Sequence, residues 1–257
     1  MQWSDFRNKR VILLGAGIEN LSLVPHLERA GATVFVSDQR PAAVDDVFRH
    51  RHPHVKLLLE KDALAELGGY DYVFRSPGMP VRLVDAALAN VKHVPVRTSA
   101  TDLFLHLTHS VVIGVTGTKG KGTTSTMIGA ILGAAGKKVV VAGNIGKPIF
   151  TILDDLDAAT IVVLEMSSFQ LEDITKSPHI AVVLPIAEDH LKPLSDESPN
   201  FHPSMNDYVA AKAQITVYQS TDDVIIFAAD NPDATAIASV SKAKKVAVSQ
   251  SAYQNHW

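Results

Sequence analysis

Two short apolar runs each end in a glycine-rich turn and then enter a helical pattern, about one hundred residues apart in a chain of 257 residues. The first is Val11-Ile12-Leu13-Leu14, followed by Gly15-Ala16-Gly17. The second is Val111-Val112-Ile113-Gly114-Val115, followed by Thr116-Gly117-Thr118-Lys119-Gly120-Lys121. Unbroken apolar runs of this length, bounded by glycine, suit strands buried on both faces of a parallel sheet. Similar runs follow at Thr33 to Val36, Tyr72 to Phe74, Lys138 to Ala142, Thr160 to Leu164, Ile180 to Leu184, Val224 to Phe227 and Lys245 to Val248. Helical patterns lie between many of them, at Leu21 to Ala30, Thr123 to Ala135 and Met205 to Gln219. Such alternation predicts an α/β chain with two doubly wound nucleotide-type domains in series, joined near Pro95 to Thr101. Lys192 to Pro203 is proline-rich and without period, and reads as a loop or an insertion.

Composition removes several function classes. Lys and Arg number 24 against 27 Asp and Glu, so no basic excess draws the chain to nucleic acid or an anionic membrane. Cysteine is absent, which excludes disulfides, thiolate metal sites and a cysteine nucleophile. The apolar stretch Val11 to Ile18 is broken by Gly15 and Gly17, too early for a membrane span. A cytoplasmic protein is the expectation.

The first glycine turn, Gly15-Ala16-Gly17-Ile18-Glu19-Asn20, approaches G-x-G-x-x-G but carries Asn20 in place of the third glycine. Asp38 closes the next strand, where a dinucleotide fold keeps its ribose acid. Either a nucleotide sits on this helix N-terminus, with NAD as one version, or the turn is bare. Ser76-Pro77-Gly78 is another turn at a strand end, and strand C-termini of such a sheet share one edge.

The second turn is more specific. It follows an apolar strand and opens a helix, the context a phosphate loop requires, with backbone N–H groups to cradle phosphate and Lys121 to supply charge. It departs twice from G-x-x-x-x-G-K-S/T: Val115 takes the first glycine's place, and Gly122 takes that of the hydroxyl residue. The hydroxyls come next, at Thr123 and Thr124. Asn144, Glu165 and His190 each follow a predicted strand and should gather at the same edge. An amide, a carboxylate and an imidazole there suit an oxygen-preferring Mg²⁺ with one nitrogen ligand. Tyr208, Lys212 and Ile215 fall on one helix face, so a charged Lys212 is costly and its pKa should be lowered. The alternative is a lysine that snorkels to the helix edge.

Thr-Gly-Thr-x-Gly-Lys resembles the phosphate loop of the Mur ligase family, which includes folylpolyglutamate synthase. Gly143-Asn144-Ile145-Gly146, Glu165-Met166-Ser167-Ser168-Phe169-Gln170-Leu171, Glu188-Asp189-His190 and Ser76-Pro77-Gly78 resemble the branch that adds D-glutamate. The resemblance implies an N-terminal Rossmann-like UDP-sugar domain over 1–97 and a central ATP-binding domain with a mostly parallel sheet over 98–257. By that resemblance the chain is expected to lack a C-terminal amino-acid domain and to be a truncated member that does not complete the ligation alone.

By the same resemblance, the substrates are UDP-MurNAc-L-alanine and D-glutamate, joined with ATP through an acyl phosphate. Phosphate cradling falls to Gly117, Thr118, Lys119, Gly120, Lys121, Gly122, Thr123 and Thr124. Two Mg²⁺ ions fall to Glu165, His190, Thr123 and Lys212, the last as a carbamate. Lys121, His190 and Lys212 carry the catalysis. Asn144 and His190 face the substrate carboxylate, and Ile18, Glu19, Asp38, Arg40, Ser76, Pro77 and Gly78 hold the UDP-sugar. A monomer is expected. Pro185 stands where an asparagine commonly precedes Glu-Asp-His, and the 192–200 stretch looks inserted between two ligands. The competing readings are another Mur ligase or folylpolyglutamate synthase, an NAD-dependent oxidoreductase built on the first turn, and a non-catalytic nucleotide-binding protein.

Overall fold

Val11, Ile12, Leu13 and Leu14 are all buried, with side chains alternating to both faces of a sheet, so helices must cover each face. That requirement organises a computed structural model that describes residues 1–60, 62–89, 91–193 and 200–250. Its contacts divide into two units. One is Met1–Leu107 with Ile149–Thr151 and Asn200; the other is 108–148, 152–193 and 201–250.

In the first unit the order is β1 (Arg10–Leu14), α1 (Ile18–Arg29), β2 (Thr33–Asp38), α2 (Asp46–Arg51), β3 (Lys56–Leu59), β4 (Tyr72–Arg75), α3 (Val81–Leu88), β5 (Val96–Thr98) and α4 (Ala100–Leu107). All strands run parallel, in the spatial order β3-β2-β1-β4-β5. Ile12 pairs with Phe35 on one side and Val73 on the other, which centres the core on β1. The order reverses at β1, so the turn after it opens into a crevice. Leu23, Val24 and Leu27 form the buried stripe of α1.

The second unit runs β6 (Val111–Thr116), α5 (Lys121–Ala134), β7 (Val139–Gly143), β8 (Ile161–Glu165), α6 (Ser168–Leu171), β9 (Ile180–Val183), α7 (Met205–Val217), β10 (Val224–Ala228), α8 (Pro232–Val240) and β11 (Lys244–Val248). Its sheet is also all parallel, ordered β11-β10-β9-β6-β8-β7. Ile113, Val115, Val163 and Val182 form its apolar centre. Here the order reverses at β6, whose neighbours are β8 and β9. The loop after β6 therefore emerges between the ends of β8 and β9.

The apolar runs became strands within one or two residues of their expected ends; burial on both faces accounts for this at the central strands β1, β6, β8 and β9, whereas the edge strand β11 has the run but is exposed throughout. Two strands were not expected, although the first of them holds Leu57-Leu58-Leu59. Lys56–Leu59 and Val96–Thr98 are edge strands of the first sheet with incomplete burial. The expected join at Pro95 to Thr101 thus contains β5 and the start of α4, which is buried within the first unit. The stretch from Lys192 to Pro203 has no regular element where described; 194–199 lie outside the described residues, as do the last residues to Trp257. Among the described residues, no helix is long and apolar enough to cross a membrane.

Candidate functional site

In the second unit, Gly117 sits at φ 150, and a Cβ there would fall 2.5 Å from the Leu184 Cβ, so only glycine lets the loop lie against the end of β9. Gly120, left-handed at φ 82, then turns the chain into α5, which starts at Lys121. The first N–H groups of a helix have no intrahelical partner and carry partial positive charge. Lys119 lies exposed on the loop and pairs with Asp189 at 3.0 Å. Thr123 is exposed on the first turn of α5, and the Thr124 amide donates to the Gly120 carbonyl.

Lys121 Nζ donates to the carbonyls of Gly117, at 3.2 Å, and Thr118, at 3.1 Å. Lys212 Nζ donates to the same Gly117 oxygen at 2.9 Å. Tyr208, Lys212 and Ile215 form one buried face of α7, and Lys212 is 1% exposed, so it does not snorkel. Burial, with help from the nearby Lys121 charge, lowers its pKa to about 7. A fraction of neutral amine, a nucleophile, is thus present at neutral pH.

Glu165 closes β8 and is 3% exposed. Its Oε1 accepts from Asn144 Nδ2 at 2.8 Å. Oε2 is buried and has no hydrogen-bond partner among the described residues. An ideal Cβ on Gly122 would lie 3.2 Å from that oxygen, so the glycine that breaks the phosphate-loop pattern faces the orphaned carboxylate atom.

His190 lies beyond β9 in the left-handed region, at φ 56. Such a backbone needs local support. The His190 amide donates to Asp189 Oδ1, and the His190 carbonyl accepts from His202 N at 2.9 Å. Burial lowers the His190 pKa against the opposing pull of Asp189, and Lys212, Lys121 and Lys119 add to the lowering. Its Nδ1 is buried without a partner among the described residues. Among the described residues, no three or more His, Cys, Asp or Glu side chains converge as a metal cluster. Glu165 and His190 are therefore not parts of a preformed set of that kind.

Several positioning residues carry no motif. His202 is buried, stacks on Phe169 at 4.6 Å and 6°, and bonds Ser168 Oγ at 2.9 Å through Nε2. Phe169 meets the His190 ring edge-on at 5.3 Å. Asn231 Nδ2 donates to the Ile186 carbonyl, while its Oδ1 accepts from Ile186 N and from Ala234 N at the start of α8. The buried ring of Tyr208 and its bond to Thr118 were visible beforehand only as an apolar helix position.

In the first unit, Gly15, Asp38 and Ser76 come together. A Cβ on Gly15 would overlap Ser76 Oγ. Asp38 Oδ2 accepts from Ala16 N and Arg40 Nη2, and Oδ1 accepts from Arg40 N and Nε. Burial alone would raise the Asp38 carboxyl, but these bonds outweigh it and hold it below its ordinary value. Asn20 explains the missing glycine: its buried Nδ2 donates to the carbonyls of Leu14 and Gly15 and braces the turn from beneath. Ile18 is 71% exposed at the start of α1, Glu19 is half-buried beside it, and Gly78 is exposed. The Pro77 carbonyl accepts from Asn200 Nδ2 at 2.6 Å.

A strand, a glycine turn and a lysine-bearing helix start, placed where a parallel sheet reverses its order, define a phosphate-loop α/β protein. Residues 115–257 match the model of the Mur ligase middle domain, and the chain belongs to the Mur ligase family. The UDP-N-acetylmuramoylalanine--D-glutamate ligase of Symbiobacterium thermophilum is 35% identical over 246 residues, covering 95% of this chain and 52% of that protein. The protein of the same name from Ruminiclostridium cellulolyticum is 36% identical over 231 residues, 88% of this chain and 47% of that protein. The chain spans about half the length of the curated relatives it matches. The fold is similar to a solved UDP-N-acetylmuramate:L-alanyl-gamma-D-glutamyl-meso-diaminopimelate ligase from Neisseria meningitides, with TM-score 0.55, 17% identity, and 93% of this chain and 78% of that chain covered. A murein peptide ligase from Psychrobacter arcticus gives TM-score 0.51 at 18% identity, over 93% of this chain and 53% of that one.

Proposed function

We propose that this chain is the UDP-sugar-binding and ATP-binding part of a ligase that adds D-glutamate to UDP-MurNAc-L-alanine in peptidoglycan precursor synthesis. The observation that carries the reading is the convergence of Lys121 and Lys212 on one phosphate-loop carbonyl, with a partnerless Glu165 oxygen facing the first turn of α5. The names of the relatives supply the substrates.

In this reading residues 1–97 hold the UDP-sugar through Ile18, Glu19, Asp38, Arg40, Ser76, Pro77 and Gly78. Asp38 supports it against an NAD site. A carboxylate has about four lone-pair sites. Ala16 and Arg40 take four bonds from Asp38, so the pair presents a guanidinium rather than a free acid to a ribose diol. The second unit holds ATP. Gly117, Thr118, Lys119, Gly120, Gly122, Thr123 and Thr124 wrap the phosphates with N–H and hydroxyl groups, and Lys121 neutralises charge as the γ-phosphoryl moves to the L-alanyl carboxylate. Asn144 and His190 orient that carboxylate. The product of this step is an acyl phosphate, which the amine of D-glutamate attacks, expelling phosphate.

Mg²⁺ fits the donor set. A buried carboxylate oxygen without a partner is a costly arrangement that a hard cation would relieve. Glu165, Thr123, His190 and Lys212 as a carbamate would hold two such ions, which when bound supply positive charge to phosphate oxygens. Carbamylation needs a neutral amine: the Lys212 nitrogen forms a bond to the carbon of CO₂ and releases one proton to solvent.

Calorimetric titration tests the reading. Mg-ATP and UDP-MurNAc-L-alanine should each bind, and NAD should not. Failure of both to bind, or uptake of NAD, would overturn it.

A further inference from the structure

Helix α7 grips the phosphate loop at two points one turn apart. Lys212 donates to the Gly117 carbonyl at 2.9 Å. Four residues earlier, the Tyr208 hydroxyl lies 3.1 Å from Thr118 Oγ1. Residues at i and i+4 lie one above the other on a helix face, so both grips come from the same stripe.

The Thr118 hydroxyl has no capacity to spare. It donates to the Ala187 carbonyl at 3.0 Å and accepts from the Ala187 amide at 2.9 Å. A hydroxyl offers one proton and two lone pairs. Its proton is already committed to Ala187, so Tyr208 is the donor in the third bond. The Thr118 amide also donates to the Pro185 carbonyl at 3.1 Å. Loop, post-β9 segment and α7 are thus tied at one oxygen atom. Tyr208 is buried, wedged between the rings of His190 and His202, at 6.2 and 5.3 Å. Its ring lies 4.5 Å from Lys212 Nζ.

We propose that Tyr208 is a positioning residue whose hydroxyl holds the phosphate loop against α7 through Thr118, a grip that does not depend on Lys212. The inference rests on the reading that this loop binds ATP. It explains how Lys212 can leave the Gly117 carbonyl to take up another role without releasing the loop.

The test uses the full chain and two kinds of measurement. In the wild type, the Tyr208 hydroxyl proton should show a nuclear Overhauser contact to the Thr118 methyl group, a measurement that needs no variant. In Tyr208→Phe, with near-UV circular dichroism unchanged, amide exchange at Thr118 and Ala187 should quicken roughly tenfold, the equivalent of about 1.4 kcal/mol. The dissociation constant for Mg-ATP should rise about three- to tenfold in the same variant. Lys212→Met should leave Ala187 exchange unchanged. An absent Overhauser contact, or unchanged exchange in a folded Tyr208→Phe, overturns the inference. Faster exchange in a chain that takes up no Mg-ATP upholds the grip and overturns the nucleotide reading instead. Equal Mg-ATP affinity in wild type and variant with unchanged exchange does the reverse.

Discussion

Lys121 and Lys212 donate to the same acceptor, the carbonyl oxygen of Gly117, at 3.2 and 2.9 Å. Two ammonium groups on one oxygen repel each other, and the buried one yields first. Burial sets the direction of the Lys212 shift and Lys121 adds to it. Lys121→Ala should therefore raise the Lys212 pKa. The ¹³Cε chemical shift of Lys212, followed through a pH titration, reads this directly. A midpoint that stays put or falls would show that the two charges do not interact.

Stability should depend on pH through Lys212. Its folded-state value, about 7, lies below the ordinary 10.5. Between those limits the unfolded chain binds the extra proton, so stability rises with pH. The contribution of the neutral amine is complete above 10.5 and lost as pH falls through about 7. Urea unfolding of the wild type and Lys212→Met at a series of pH values isolates it. The difference between them should shift in favour of the wild type from pH 7 to 10, and a flat difference would refute the shift.

Gly122→Ser should stabilise the chain by about 1 kcal/mol, from a new bond to a lone buried oxygen and a better helix former. The substituent falls beside Glu165 Oε2, which has no partner among the described residues. Thermal unfolding without nucleotide or metal measures it. A lower melting temperature would show that the 3.2 Å approach is steric rather than bonding.

His202→Ala should cost about 2–3 kcal/mol, because it empties a buried stack and strips Ser168 of a partner. It should also move the His190 ring resonances, since Phe169 lies between the two imidazoles. Stability loss with unmoved His190 signals would confine His202 to the core.

What was legible in the sequence followed from burial. Strands β1 and β6 lie at sheet centres, so apolar runs and the glycines beyond them announced both switch points. Strand β5 holds a single apolar residue and so gives no signal, while β3, Lys56–Leu59, does hold a short apolar run that is not among the strands expected from the sequence. The glycine turn before α5, Glu165, His190 and Lys212 stand out in the sequence because each lies in a short local pattern. Asn20, His202 and the Tyr208 hydroxyl act through contacts with residues distant in sequence or through backbone carbonyls. Spacing along the chain holds no trace of such partners. Asn20 even read as a defect in a glycine pattern, although its amide supplies the bracing that the turn requires.

ATP binding at the phosphate loop carries the proposed function. Calorimetric titration of Mg-ATP into the wild-type chain and Lys121→Ala, with circular dichroism confirming both folds, tests it. Saturable binding by the wild type and at least a roughly tenfold weaker constant in the variant, about 1.4 kcal/mol, is the predicted result. Equal affinity in the two, or no binding by the wild type, would contradict it.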